Sequence, residues 1–141
     1  QEVDAGHWDI TRGSYVGAIV DGDAVKVVGV AAEHHPRLEF LSGSNVAFLL
    51  DAQFSDRSIL RNSIVNGKPG SEERGGKMPL VAGTPYTLVV KRVSGEYDRA
   101  GGGFEVYIDG CRRREFDFGD RLDRAAITGA RLVPPTPGSP G

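Results

Sequence analysis

FEVYIDG, residues 104–110, is the stretch whose reading decides the fold. Phe104, Val106 and Ile108 alternate with Glu105, Tyr107 and Asp109, so an extended chain sorts one apolar face from one polar face. Asp109-Gly110 follows at once, a strong hairpin signal because both residues tolerate positive φ. The next run, RREFDF (113–118), repeats the alternation, with Phe116 and Phe118 set against Glu115 and Asp117. Two strands joined by a tight turn are expected here.

The same texture extends in both directions. VKVVGV (25–30), RLEFL (37–41), NVAFLL (45–50), SILRNSIV (58–65), YTLVVKRV (86–93) and ARLV (130–133) are short, rich in β-branched and aromatic residues, and bounded by Gly, Asp, Ser or Pro. No segment carries a helical period. Many short antiparallel strands in a chain of 141 residues predict an all-β sandwich or barrel. SGEYDR and AGGG (94–103) read as a hairpin connection, and PPTPGSPG (134–141) as a Pro/Gly-rich tail.

Composition narrows the function. The length suits one domain with its own core, and 39% hydrophobic with 26% charged residues is globular usage. A net charge of −2 offers nothing to nucleic acid, and no run reaches the ~18 apolar residues of a membrane-inserting helix. Gln1 in place of Met marks an expected processed product or excised domain. Cys111 is the single cysteine, which excludes an internal disulfide or a Cys-based zinc cage; an inert thiol is expected. His34-His35 would point to opposite sides of a strand, and Asp21-Gly22-Asp23 lacks the further acids of a calcium loop, so no metal or cofactor is expected. CRRRE (111–115) reads as a solvated edge. With three histidines and no nucleophile–base pattern, an enzyme is not expected.

NGKPGSEER (66–74) stands out. Asn66-Gly67 and Pro69-Gly70 supply turn chemistry. Glu72 and Arg74 then sit two apart, where an extended chain points both to one side. They form either a ligand-gripping edge or a solvated ion pair.

SNVAFLLDAQF (44–54), NSIVNGKPGSEER (62–74), KMPLVAGTPYTLVVK (77–91), FEVYIDGCRRREFDFGDRL (104–122) and ITGARLV (127–133), taken in this order, resemble a galectin carbohydrate-recognition domain. The resemblance reaches back to AVKVVGV and PRLEFL and covers residues 14–133, leaving 1–13 as an N-terminal extension and 134–141 as the tail. It implies a two-sheet antiparallel jelly-roll β-sandwich. In galectins a strand resembling FHFNPRF offers His, Asn and Arg to galactoside hydroxyls; here Leu49, Asp51 and Gln53 take those places. Asn62 matches the Asn of the following strand. In the Trp-Gly-x-Glu-x-Arg pattern, Pro69 replaces the Trp that stacks on the sugar, while Gly70, Glu72 and Arg74 are kept.

A millimolar lectin site has only about −4 kcal/mol of standard binding free energy. Each hydrogen bond to a charged group is worth roughly 1.5–3 kcal/mol, so losing the His and Arg donors could consume it. The missing aromatic removes apolar contact as well. Ordinary β-galactoside binding is therefore not expected. Three readings stay open for Leu49, Asp51, Gln53, Asn62, Glu72 and Arg74: a decayed site with Glu72 and Arg74 as an internal pair, a face for a protein partner, or a site for a different glycan. The chain is also similar to galectin-like domains of micronemal adhesins in apicomplexan parasites. That resemblance implies a secreted or cell-surface module whose leading role is assembly with a protein partner, such as a small disulfide-rich, EGF-like module.

Overall fold

The structure, a computed structural model, describes residues 6–32, 36–94 and 102–134. His34-His35, most of the connection expected over 94–103 and nearly all of the tail lie outside them. The described residues form two six-stranded sheets, with one short 3-10 turn at Arg114–Phe116. Sheet A holds β1 (His7–Asp9), β3 (Ala24–Val30), β8 (Pro85–Val93), β9 (Gly103–Ile108) and β10 (Cys111–Arg112) in that order, with β11 (Phe118–Gly119) also on β9. Sheet B runs β2 (Ser14–Ile19), β12 (Ile127–Val133), β4 (Arg37–Ser42), β5 (Asn45–Gln53), β6 (Ser58–Val65), β7 (Lys68–Pro69). All pairings are antiparallel except β1 with β3, which is parallel, so sheet A is mixed. The all-β two-sheet sandwich expected from the sequence is what the chain forms.

The core is the layer between the sheets. Phe104, Val106 and Ile108 of β9 face it, and Glu105 and Tyr107 face out. Phe40 and Phe48 of sheet B meet Phe104 and Phe118 of sheet A, with ring centroids 4.9–5.1 Å apart across the layer. Each buried Phe contributes about 1.5–3 kcal/mol by removal from water. Asp109 and Gly110 take φ of 52° and 82°, closing the β9–β10 hairpin with a two-residue primed turn. Asn66 and Gly67 do the same between β6 and β7, at 54° and 77°.

Three local expectations change. Residues 113–118 are not one strand: the chain makes a 3-10 turn there, and Phe116 and Phe118 are both fully buried. Asp117 causes this by accepting from the Val106 amide and from Arg112, which bends the chain back over the core. The return brings β11 so close to β9 that a Cβ on Gly103 would lie 2.3 Å from the Phe118 carbonyl oxygen; glycine is required. Within the stretch read as an extension, His7–Asp9 is β1, tied to β2 by stacking of Trp8 on Tyr15 at 4.2 Å. Strand β2 carries Val16 at 89% exposure and so lacks the apolar alternation that marks the other strands.

Candidate functional site

The outward face of sheet B is set by register. Phe40, Phe48 and Leu50 turn inward, so Arg131, Glu39, Leu49 and Asn62, paired in one row across β12, β4, β5 and β6, belong to the outer side. A second row adds Asp51 beside Leu60, and a third Gln53 beside Ser58.

The segment after β7 completes this face. Glu73 exchanges both backbone hydrogen bonds with Arg61 of β6, at 2.9 and 2.8 Å, which holds residues 72–74 alongside the sheet edge. Extended geometry then aims Glu72 and Arg74 one way and Glu73 the other. Two arginines fasten the segment from within. The buried Arg61 donates to the carbonyls of Ile59, Gly75 and Glu115 at 2.8, 2.8 and 3.0 Å, with its guanidinium over the Phe116 ring. Arg121 lies over Phe118 and reaches Glu73, Asn62 and Ser63 at 3.0, 3.1 and 3.5 Å.

Four of the six residues singled out in the sequence therefore join one network. Arg74 donates to Gln53 Oε1 at 2.7 Å, Ser58 Oγ at 3.1 Å and Asp56 Oδ2 at 3.3 Å, and pairs with Glu72 at 3.1 Å. Gln53 Nε2 in turn donates to Asp51 Oδ2 at 3.2 Å. The chain Asp51–Gln53–Arg74–Glu72 is half-exposed to exposed, with fixed donors and acceptors side by side. That is chemistry for hydroxyl groups, each of which donates once and accepts twice. No aromatic ring stands at Pro69, which lies exposed on edge strand β7.

The other two stand apart. Leu49 is 3% exposed and Asn62 7%. The Asn62 amide donates to the Gly70 carbonyl at 3.0 Å and accepts from Ser63 N and from Arg121, so it buttresses the β6–β7 hairpin. Ser58 and Asp56 were not singled out, although the four-residue turn after Gln53 sets Ser58 directly opposite it in the hairpin register. Glu39 was not singled out either, although Arg37 stands two residues before it on β4; its other cationic partner, Arg131, comes from a strand 92 residues on.

Among the described residues no group of three or more His, Cys, Asp or Glu could hold a metal ion, and no helix is long and apolar enough to cross a membrane.

Comparison with solved structures returns the same architecture. A Caenorhabditis elegans galectin superposes with a TM-score of 0.64 over 85% of this chain and 81% of its own, at 17% identity. Chicken galectin 2 gives 0.70 over 86% and 90%, also at 17%. In sequence, a 32 kDa beta-galactoside-binding lectin of Caenorhabditis elegans is 30% identical over 88 residues, 62% of this chain and 28% of the lectin. Human galectin-4 is 33% identical over 119 residues, 79% of this chain and 34% of galectin-4. The chain thus spans about a third of the length of these relatives. The galactoside-binding lectin family pattern matches residues 13–131, nearly the whole described fold, and the chain belongs to that family.

Proposed function

We propose that this domain is a non-catalytic saccharide-binding module whose specificity has moved away from ordinary β-galactosides. The observation that carries this reading is the Arg74 network. A decayed face needs no more than the Glu72–Arg74 pair, whereas Arg74 is also held by Gln53, Ser58 and Asp56 at 2.7, 3.1 and 3.3 Å. Polar groups fixed before the ligand arrives cost less to order on binding. The absent ring at Pro69 and the buried Leu49 remove two contacts that galactose uses in the family.

The test is a titration of isotope-labelled domain with a panel of neutral and acidic saccharides up to tens of millimolar. We expect weak or absent response to lactose, a clear response to at least one other saccharide, and loss of it in Arg74→Ala and Glu72→Ala. Lactose binding at the strength of an ordinary galectin would overturn the altered specificity, and silence towards the whole panel would overturn the lectin reading.

A second reading, ranked first from sequence alone, is assembly with a protein in a secreted or cell-surface adhesin complex, with an EGF-like module as partner. It draws support from the opposite sheet, where Val28 and Val30 of β3 are 40% and 58% exposed beside a loop carrying Val81 at 63%. Val30→Asp should abolish capture of such a partner and leave saccharide binding intact. Capture that survives this substitution would remove the reading from that face.

A further inference from the structure

Three asparagines stand in this chain, and the fold treats them differently. Asn62 is buried, its amide donates to the Gly70 carbonyl, and the next backbone nitrogen, Ser63 N, donates to its Oδ1 at 2.8 Å. Asn45 is half-buried and followed by the β-branched Val46, and its Oδ1 accepts from the Asn66 backbone amide at 2.9 Å. Asn66 is exposed, its side chain has no hydrogen-bond partner among the described residues, and a glycine follows it.

The turn leaves the neighbouring group free as well. The ladder closes between Val65 and Lys68, so neither turn residue's amide belongs to it. Asn45 holds Asn66 N, whereas Gly67 N has no acceptor among the described residues. Space around Gly67 is open: a Cβ built there would meet nothing within 4 Å. A side-chain amide carbon and a free backbone nitrogen one residue on are the two partners of imide formation, already joined in one molecule. The rotation this needs about the Asn66 Cα–C bond meets few anchors, because β7 is two exposed residues at the edge of sheet B. The other two-residue primed turn lacks this freedom, since the Asp109 carboxylate accepts from the Thr87 amide at 2.9 Å.

We propose that Asn66 is a site of spontaneous covalent modification, through which the protein passes slowly into a second form. The Gly67 nitrogen attacks the Asn66 side-chain carbonyl carbon and forms the new C–N bond of a succinimide. The C–NH2 bond breaks, the departing group takes the proton of the Gly67 nitrogen, and ammonia leaves. Water, the one co-reactant, then opens the ring at either carbonyl to give aspartate or isoaspartate. Either product adds one negative charge to a net charge of −2. Isoaspartate also inserts a methylene into the main chain, which a two-residue turn cannot absorb in register. The pairs Ile64–Pro69 and Val65–Lys68, and the bond from Gly70 N to the Ser63 carbonyl at 2.9 Å, depend on that register. The next fixed point along the chain is the exchange between Glu73 and Arg61. Residues 68–72 therefore shift, while Arg74 keeps its hold on Gln53 and Ser58. The modification loosens the Glu72 side of the outer face and spares the Arg74 side.

The experiment ages the full chain in neutral and mildly alkaline buffer, once native and once unfolded in urea, and follows it by peptide mapping and backbone NMR. We expect amide-to-acid conversion at Asn66 in the native protein, well ahead of Asn45 and Asn62. It should quicken in proportion to hydroxide, because the attacking nitrogen must lose its proton. An isoaspartyl-specific methyltransferase should label the aged chain. Backbone signals of residues 64–72 should move in the isoaspartate form, and those of β9 should stay. Asn66→Gly keeps the positive φ without a side-chain amide, so it should gain neither label nor shift over the same time. Asn66→Asp adds the charge without the methylene, so before ageing its hairpin signals should sit close to the native ones. Conversion at Asn66 no faster than at Asn45 and Asn62 would overturn the site. Conversion in urea but not in the native protein would overturn it too, since the turn would then protect Asn66. Isoaspartate at Asn66 with residues 68–72 unmoved would overturn the loss of register.

Discussion

The outer face of sheet B carries two charge clusters built as opposites. In one, a buried carboxylate, Glu39, is gripped by two half-exposed cations. In the other, a half-exposed cation, Arg74, is surrounded by the exposed carboxylates of Glu72 and Asp56 with Gln53 and Ser58. The first centre has given up water, so its partners are needed for the fold. The second has kept water, so its geometry costs little stability to disturb. The difference separates what holds this face together from what it can offer a ligand.

Both clusters rest on one floor, and removing it gives the largest effect. Phe48 lies inward on β5 between them, stacked on Phe104 and Phe118 at 4.9 Å each. Phe48→Ala should cost about 3–5 kcal/mol, read from urea denaturation. The Nε–Hε signals of Arg74 and Arg131 should disappear in the same transition. Separate transitions would show that the clusters do not share a floor.

An alkaline titration probes the opposite sheet. Burial pushes the Tyr86 hydroxyl up to about 12 from an ordinary value near 10. The unfolded chain releases this proton near pH 10 and the folded chain holds it to about pH 12, so the folded state binds more protons in that window. Stability should therefore fall by roughly 2–3 kcal/mol as pH rises from 10 to 12, at about 1.4 kcal/mol per unit. Tyr86→Phe should remove this part of the slope. Because Tyr86 belongs to sheet A, the two clusters should respond alike, and any divergence would place their difference outside local burial.

Glu39→Gln addresses the first cluster directly. It leaves two like charges facing an amide, and hydrogen bonds to a charged group are worth about 1.5–3 kcal/mol. A loss in that range, measured by denaturation, is expected. A loss of a few tenths would show that Arg37 and Arg131 find water as good a partner as Glu39.

The same contrast marks what the sequence disclosed. Period-2 alternation in β9, with Phe104, Val106 and Ile108 on one side, states the core face outright, and Asp109-Gly110 states the turn. Glu72 and Arg74 were legible for the same reason, being two apart in an extended run, whereas Asp51 and Gln53 were reached through the resemblance of their strand to the family's pattern. For Asn62 the place in the strand was readable, but its engagement by Arg121, 59 residues away, was not. The Arg37–Glu39–Arg131 cluster was half hidden. Arg37 and Glu39 stand two apart as Glu72 and Arg74 do, but the closure by Arg131 depends on which strand lies beside β4. Strand β2 escaped because Val16 faces solvent, and residues 113–118 were misread because Asp117 spends its carboxylate on a bend.

The smallest effect on stability is the sharpest test of the comparison. Arg74→Ala removes a cation 38% exposed whose carboxylate partners are 59% and 50% exposed, pairs of the kind worth about 0.2–1 kcal/mol in water. Denaturation should move by no more than that, and by less at high salt, where exposed pairs are screened. Ligand binding should nonetheless be lost, because Arg74 links Gln53 to Glu72 and sets the direction of their donors and acceptors. Stability and binding then part company at Arg74, whereas at Glu39 they should fall together. If Arg74→Ala instead costs as much as Glu39→Gln, the exposed network is a structural clasp, and the face it closes is organised for the fold rather than for a ligand.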